Sequence, residues 1–287
     1  MVNLRAFKKS KTDKAIYIAV FVLFIVYAVT LLYPIVWTLF NSLKLNVDYF
    51  SNRFNLPTKW MFRNYADVFS MIEINGVTMI AMLFNSVWFT AGGTVIAVFT
   101  STMTAYVVSK YKFYGREFVY GLAIAIMLIP IVGALPAQYT LFHMLRIVNS
   151  PLILVIFTGG FGFNFLIMHG FFKNVAWSYA EAAYIDGAGD FKIFLKVMLP
   201  QARAPIFSLS IIASIGLWND YMTPMLYLGA MPTLSTGLFV FYTKMTYRSN
   251  YPVYFTAVIL SMIPVFLVFA VFQDKIMRNT VAGGLKG

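Results

Sequence analysis

The chain has no cysteine among its 287 residues, so disulfides and cysteine-ligated zinc or redox centres are excluded. Histidine is nearly as scarce: His143 and His169 are the only two, and neither has the His-x-x-x-His partner that a metal-binding helix carries. Charge is thin. Charged residues make up 11% of the chain, with ten acids, against about 25% in a typical soluble domain. So few charges cannot cover a water-facing surface. There is no G-x-x-x-x-G-K-[ST] phosphate loop, and TGGFGFNF (158–165) lacks its lysine and hydroxyl, so ATP is not bound by that route. What is abundant is apolar, at 60% hydrophobic residues and a mean hydropathy of +0.76. This is the composition of a polytopic membrane protein.

Six stretches almost free of charge run roughly over 15–40, 80–108, 118–142, 151–172, 204–228 and 252–273. A hydrocarbon core of about 30 Å needs about 20 helical residues, and all six reach that length. Barrel strands would alternate polar and apolar over about ten residues; these runs do not. The fold class is an all-α membrane protein with six transmembrane helices. The basic N-terminus (1–14) followed by an apolar run resembles a signal peptide, but a signal core is about 7–15 residues and ends at a small-x-small site. Residues 15–40 are longer and end in aromatics, so they are expected to stay as an anchor.

With six spans the termini share a side. That side collects 15 of the 22 Lys and Arg residues and the other collects 7. By the positive-inside tendency the termini and the 173–203 connection are cytoplasmic. The formal charge of +12 is then a topology signal rather than a nucleic-acid footprint. Residues 41–79 form an extracytoplasmic segment whose Tyr49, Trp60 and Tyr65 suit an interface. The second span carries Gly92-Gly93 and Thr94, Thr100, Ser101, Thr102 and Thr104, small and hydroxyl residues that let membrane helices approach closely. Pro130, Pro136 and Pro264 mark expected kinks. Residues 158–165 read as weakened helix, 229–251 as a segment on the surface or dipping inward, and the 276–287 tail as frayed.

The connection EAAYIDGAGDFKIFLKVMLP (181–200) is too organised for a plain loop. Ser178 and Glu181 fit a Ser-x-x-Glu capping box, and Gly187 should end that helix. Asp190 can cap a second helix. Phe191, Phe194, Leu195 and Met198 fall at i, i+3, i+4 and i+7, one apolar stripe that must be buried against something. The helix ends of the same chain, the bilayer interface and a soluble partner all remain open on these grounds.

The spacing E-A-A, D-G-A and L-P resembles the EAA motif of binding-protein-dependent ABC importer permeases, with Glu181, Ala182, Ala183, Asp186, Gly187, Ala188, Leu199 and Pro200 at its positions. The match is similar to carbohydrate-uptake permeases of the smaller maltose-subunit kind. Asn85-Ser86, residues 104–117, Trp218-Asn219-Asp220 with Pro224, and the AGGLKG tail extend it over roughly 60–287. Ala176, Ala180 and Asn279 depart from the family pattern.

The resemblance implies a type I ABC importer permease fold: an extra first helix (15–40), a core over 80–275 that includes the coupling loop 173–203, and the tail. It implies ATPase docking through Glu181, Ala182, Ala183, Asp186, Gly187, Phe194, Leu199 and Pro200, and tail contacts through Gly284, Lys286 and Gly287. Asn85, Asn219, Asp220 and Tyr221 are candidates for gating or the path. Implied partners are a second, homologous permease, two cytoplasmic ATPases and an extracytoplasmic solute-binding protein, in a bacterial or archaeal inner membrane. No catalysis, metal or cofactor is expected in this chain; ATP and Mg belong to the ATPases. The expected cargo is a sugar, more specifically an oligosaccharide.

Other readings are a permease for another solute and a secondary transporter, the latter disfavoured because no repeat is visible and Asp220 is the one acid well inside a span. Gly187-Ala-Gly-Asp190 also matches the G-x-G-D of intramembrane aspartyl proteases. That chemistry needs two carboxylates at one site, whereas Asp220 is about 24 Å into the fifth span.

Overall fold

The computed structural model describes residues 11–128, 135–157, 159–245 and 250–284. It is helical because backbone amides inside a bilayer have no water to bond and must be satisfied within the segment. The first span is α1 (Lys11–Ser42), 32 residues that pass through Pro34, with no part of its most apolar window buried by the rest of the chain. The segment after it holds α2 (Asn46–Ser51), α3 (Asn64–Met71) and a small hairpin, β1 (Glu73–Ile74) with β2 (Val77–Thr78). Glu73 pairs with Thr78, and Asn75 and Gly76 both take positive φ (51° and 82°), the Asn-Gly chemistry of a type I′ turn.

Next comes α4 (Met79–Lys110), again 32 unbroken residues. Of the next three expected spans, the fourth and fifth are broken within the described residues. The third appears as α5 (Arg116–Leu128) and α6 (Leu135–Met144), with Pro130 outside the described residues and Pro136 in the first turn of α6. The fourth is α7 (Ile153–Phe157) and α8 (Phe163–Asn174), joined by the expected weak stretch, where Gly162 adopts φ +107°. Then come α9 (Ser178–Ile185), α10 (Asp190–Ile193), a π-helical turn (Phe194–Met198), α11 (Leu199–Gln201) and α12 (Arg203–Asn219), with an 81° bend at Ala202. The fifth span stops at Asn219 and resumes as α13 (Met222–Tyr227); α14 (Leu234–Lys244) and α15 (Tyr251–Gly284) complete the order. Pro264 does not interrupt α15. Among the described residues, three helices are long and apolar enough to cross alone, and α10–α11 with α12 qualifies as a bent pair. The tail expected to fray is helical to Gly284.

The chain folds as two compact units. One gathers the residues up to Val68 with Met245–Ile263. Its hub is the end of α1: the Ser42 carbonyl accepts from Asn64 Nδ2 (2.8 Å) and Thr256 Oγ1 (3.1 Å), and the Ser42 hydroxyl pairs with Tyr65 (2.9 Å). Trp37 meets Phe255 edge-on, and Tyr49, buried, stacks on Tyr251 at 5.0 Å. Lys44 is buried with its ammonium on the Asn52 carbonyl (3.0 Å). Burial pulls its pKa down, and nearby Asp48 pushes it partly back.

The other unit comprises Phe69–Lys244 and Pro264 onward. Here α4 is the axis, packed by α7, α8, α12 and α14. A Cβ on Gly93 would stand 2.7 Å from Leu217 Cδ1 of α12, and one on Gly160 would stand 2.7 Å from Thr104 Oγ1 of α4. The glycine and hydroxyl series of the second span is therefore a packing surface. Two apolar clusters bracket it. One joins Tyr106, Phe165, Phe172, Ala180, Ile193, Phe194 and Met198; the other joins Phe89, Phe142, Leu154 and Tyr227. Of the 229–251 segment, the start of α14 is held against α4: Asn85 Nδ2 donates to Pro232 O (3.0 Å), and the Ser86 hydroxyl accepts from Leu234 N (2.7 Å). Replacing Gly93 with Val should therefore overpack the α4–α12 contact and cost about 1–3 kcal/mol, read as a lower unfolding midpoint in detergent. Gly121→Val, where a Cβ meets nothing within 4 Å, should leave the midpoint unchanged.

Candidate functional site

The connection between α8 and α12 has one face sewn into the chain and one face bare. Its first helix starts a residue earlier than a Ser178 cap requires. Trp177 is already in the αR region, and its carbonyl accepts from Ala180 N (2.8 Å) and Glu181 N (3.2 Å). No side-chain cap bond forms, so the expected capping box is absent. The Trp177 ring, edge-on to Tyr111 at 5.8 Å, holds that residue in place. Glu181 is left exposed, with no cap to serve.

Gly187 ends α9 as expected. At φ +73° it donates to Tyr184 O (2.9 Å) while Ala188 N donates to Ala183 O (3.0 Å). These are the two bonds of a Schellman motif, with glycine at the left-handed C′ position. The turn brings Asp190 back toward α9. Asp190 does not cap α10, whose start also lacks a side-chain cap bond. Its Oδ1 instead accepts from the Tyr111 hydroxyl (2.8 Å) and from the Tyr184 hydroxyl. The two tyrosine hydroxyls lie 3.3 Å apart, and Tyr106 approaches Tyr111 at 3.4 Å. Lys110 Nζ donates to Val175 O at 2.5 Å. The end of α4 is thus tied to both helices of the loop.

The electrostatics follow the same contacts. The Tyr184 and then the Tyr111 hydroxyl hold the Asp190 carboxyl below the usual carboxylate range. The hydrogen bond to Asp190 pushes the Tyr184 phenol up. Burial, followed by its hydrogen bonds, pushes Tyr111 far up.

The apolar stripe divides. Phe194 and Met198 are buried, with Phe194 against Tyr106 (5.2 Å) and Phe99 (6.0 Å), whereas Phe191 is 63% exposed and Leu195 is exposed. Phe194, expected to meet a partner, is a core residue of its own chain. The cause is the π-helical turn, which adds a residue to the repeat and breaks the 3.6-residue register on which the stripe was drawn. The exposed residues of the loop include Tyr179, Ile185 (87% exposed), Phe191 and Leu195, together with Glu181, Ala182 and Asp186. Ala183, Leu199 and Pro200 are half-buried at its edge. Ile185 was missed because it lies on α9, outside the stripe; its place between EAA and DGA is the sequence signal. Gly284 is the last described residue, and Lys286 and Gly287 lie outside the described residues.

The four candidate path residues serve the break in the fifth span and its packing. Asp220 Oδ1 accepts from Met222 N and Thr223 N, both at 3.0 Å, starting α13. The carbonyls of Trp218 and Tyr221 are taken by Ser235 Oγ (2.5 Å) and Thr236 Oγ1 (3.0 Å) of α14, and Tyr221 stacks on Phe239 at 4.3 Å. Asn219 Nδ2 bonds Ile215 O (2.8 Å), and Asn85 holds Pro232 as above. None of the four lines the cavity of about 490 Å³ between α4, α12 and α15, whose walls include Thr90, Thr94, Phe207, Ser210, Ser214 and Trp218. Ser210 and Ser214, four apart on α12, were the unread signal for it.

Residues 93–280 match the family of binding-protein-dependent transport system inner membrane components. The chain is 29% identical over 269 residues to the diacetylchitobiose uptake system permease protein NgcG of Streptomyces coelicolor, covering 91% of this chain and 86% of that one. It is 28% identical over 272 residues to the galactooligosaccharides transport system permease protein GanQ of Bacillus subtilis, covering 91% and 92%. The crystal structure of a bacterial ABC transporter involved in import of the acidic polysaccharide alginate contains a chain that superposes with a TM-score of 0.74 at 26% identity, covering 93% of this chain and 98% of that one. With an EAA loop on a broken-helix membrane core and these likenesses, the chain belongs to the family of binding-protein-dependent transport system inner membrane components and is an ABC importer permease, a transport component without catalysis of its own.

Proposed function

We propose that this chain forms half of the translocation pathway for an oligosaccharide and takes its power stroke from a cytoplasmic ATPase docked on the α9–α11 loop. The observation that carries the proposal is the two-faced loop. An apolar strip with Ile185 and Phe191 bare in water costs free energy unless covered, and three acidic or small motif residues border it. The companion permease, the ATPase pair that holds ATP and Mg, and the solute-binding protein are the partners that such a half-channel requires. The charge count puts the loop and both termini in the cytoplasm. The two relatives named above are, by name, permeases for diacetylchitobiose and for galactooligosaccharides, which supports a short-saccharide cargo here. The cavity against α4, α12 and α15 is the candidate for this chain's share of the path; its lining is mainly apolar, and the Trp218 and Phe207 rings are the groups on which a sugar face could stack.

Closure of the ATPases would move the loop, and the loop has two rigid exits. One is the continuous backbone through the bend at Ala202 into α12. The other is the Tyr111–Tyr184–Asp190 cluster on the end of α4. Both helices wall the cavity, so one stroke would reshape it from two sides.

Purification of the tagged chain in mild detergent should recover an ATPase and a second permease. Glu181→Lys and Ile185→Glu, both at exposed positions, should lower sugar uptake at least about tenfold, the effect of roughly 1.4 kcal/mol, with membrane insertion intact. Unchanged uptake in both variants counts against docking on this face. The loop should also respond to pH at two ends. A carboxyl held below its normal pKa stabilises the fold above about pH 3.9 and loses that contribution as pH falls through the folded value. Phenols pushed up contribute fully below about pH 10 and lose it as pH rises through the folded value. Amide-exchange protection across 178–193, corrected for intrinsic rates, should be flat between these limits, fall outside them, and fall at pH 7 in Asp190→Asn with Tyr111→Phe.

A further inference from the structure

We propose that residues 45–62 lie in the headgroup layer of the bilayer, seated on phospholipid beside the end of α1. Their depth is set by bonds within one compact unit. Met61 N donates to Leu43 O (2.8 Å), Asn64 Nδ2 bridges the carbonyls of Ser42 and Lys44, and Trp60 packs edge-on to Phe40 at 6.2 Å. Trp60 and Phe62, stacked on each other, are therefore level with the last turn of the first span. The apolar run 15–40 is about 39 Å long at 1.5 Å per residue. A hydrocarbon core is about 30 Å and the whole bilayer about 40–45 Å, so Phe40 reaches the headgroups.

At that level the segment is apolar and bare. Phe54 is 77%, Val47 74% and Phe62 69% exposed, with Leu56 and Trp60 also exposed. Interleaved with them are Arg53, Lys59 and Arg63, and the one acid of residues 45–63 is Asp48, which accepts from the Thr58 hydroxyl. Aromatics among cations match a layer of phosphates over acyl chains, whereas the core of a protein interface is depleted in lysine and charge. The backbone is prepared for this place: Asn52 Oδ1 accepts from Phe54 N (3.0 Å) and Asn55 N (3.2 Å), satisfying amides where water is scarce. The surface also continues that of α1, whose apolar window is wholly uncovered by the chain.

The absence of cysteine makes the test direct. Phe54→Cys, Phe62→Cys and, as an aqueous reference, Lys192→Cys are each spin-labelled in the full chain and reconstituted in phosphatidylethanolamine–phosphatidylglycerol vesicles. Power saturation with oxygen and a neutral nickel chelate then reads depth. Labels at 54 and 62 should show the oxygen-rich, nickel-poor signature of the headgroup and upper acyl region, and the label at 192 the reverse. Water-like values at both 54 and 62 overturn the proposal. So do water-like values that change only when a permease or soluble protein partner is added, which would assign the face to that partner.

Discussion

Close approach of other backbones to α4 is the interaction on which the larger unit rests. In lipid, apolar side chains gain nothing by leaving their solvent, so helices must be held by dense contact and hydrogen bonds. Gly92 and Gly93 admit Leu154 and Leu217, Gly160 sits on Thr104, and Gly237 of α14 presses on Met82. Each small residue removes a side chain's width from the separation. The long, unbroken α4 can thereby serve as axis for α7, α8, α12 and α14, elements individually too short or too bent to span as straight helices.

Broken helices have a cost in a bilayer unless their free amides and carbonyls find partners. The break in the fifth span supplies its own. Asp220 takes two amides at the start of α13, while Ser235 and Thr236 reach across from α14 to the carbonyls of Trp218 and Tyr221 on either side of the break. Asn149 joins its turn to the end of α13 through Tyr227 O (2.7 Å) and Ala230 N (2.9 Å). The intramembrane acid that draws attention in the sequence has, in this conformation, the work of a cap.

The same economy shapes the loop. Gly187 closes α9 without a side chain, and the turn delivers Asp190 to two tyrosines from elements up to 79 positions apart. The inner face thus becomes rigid with α4 and the outer face stays free to be covered. A loop bound to its own chain on one side only is suited to transmit a push. A loop loose on both sides would absorb it.

Much of this was legible in the order of residues. Composition required membrane helices, because too few charges exist to coat anything else. The Gly187 stop and the glycine-rich weakness near 160 followed from backbone stereochemistry, which acts within a few residues. The EAA spacing pointed to the family. What the sequence could not specify depended on partners distant along the chain. Whether Ser178 or Trp177 opens α9 was decided by a ring packed on Tyr111. Which of Phe191 and Phe194 faces outward was decided by the packing of Phe194 on the buried Tyr106. Which groups Asp190 and Asp220 bond in this conformation was decided by what folding brought to their oxygens. Local stereochemistry is a property of neighbours in sequence; burial and hydrogen-bond partnership are properties of neighbours in space, and only the assembled tertiary structure contains them.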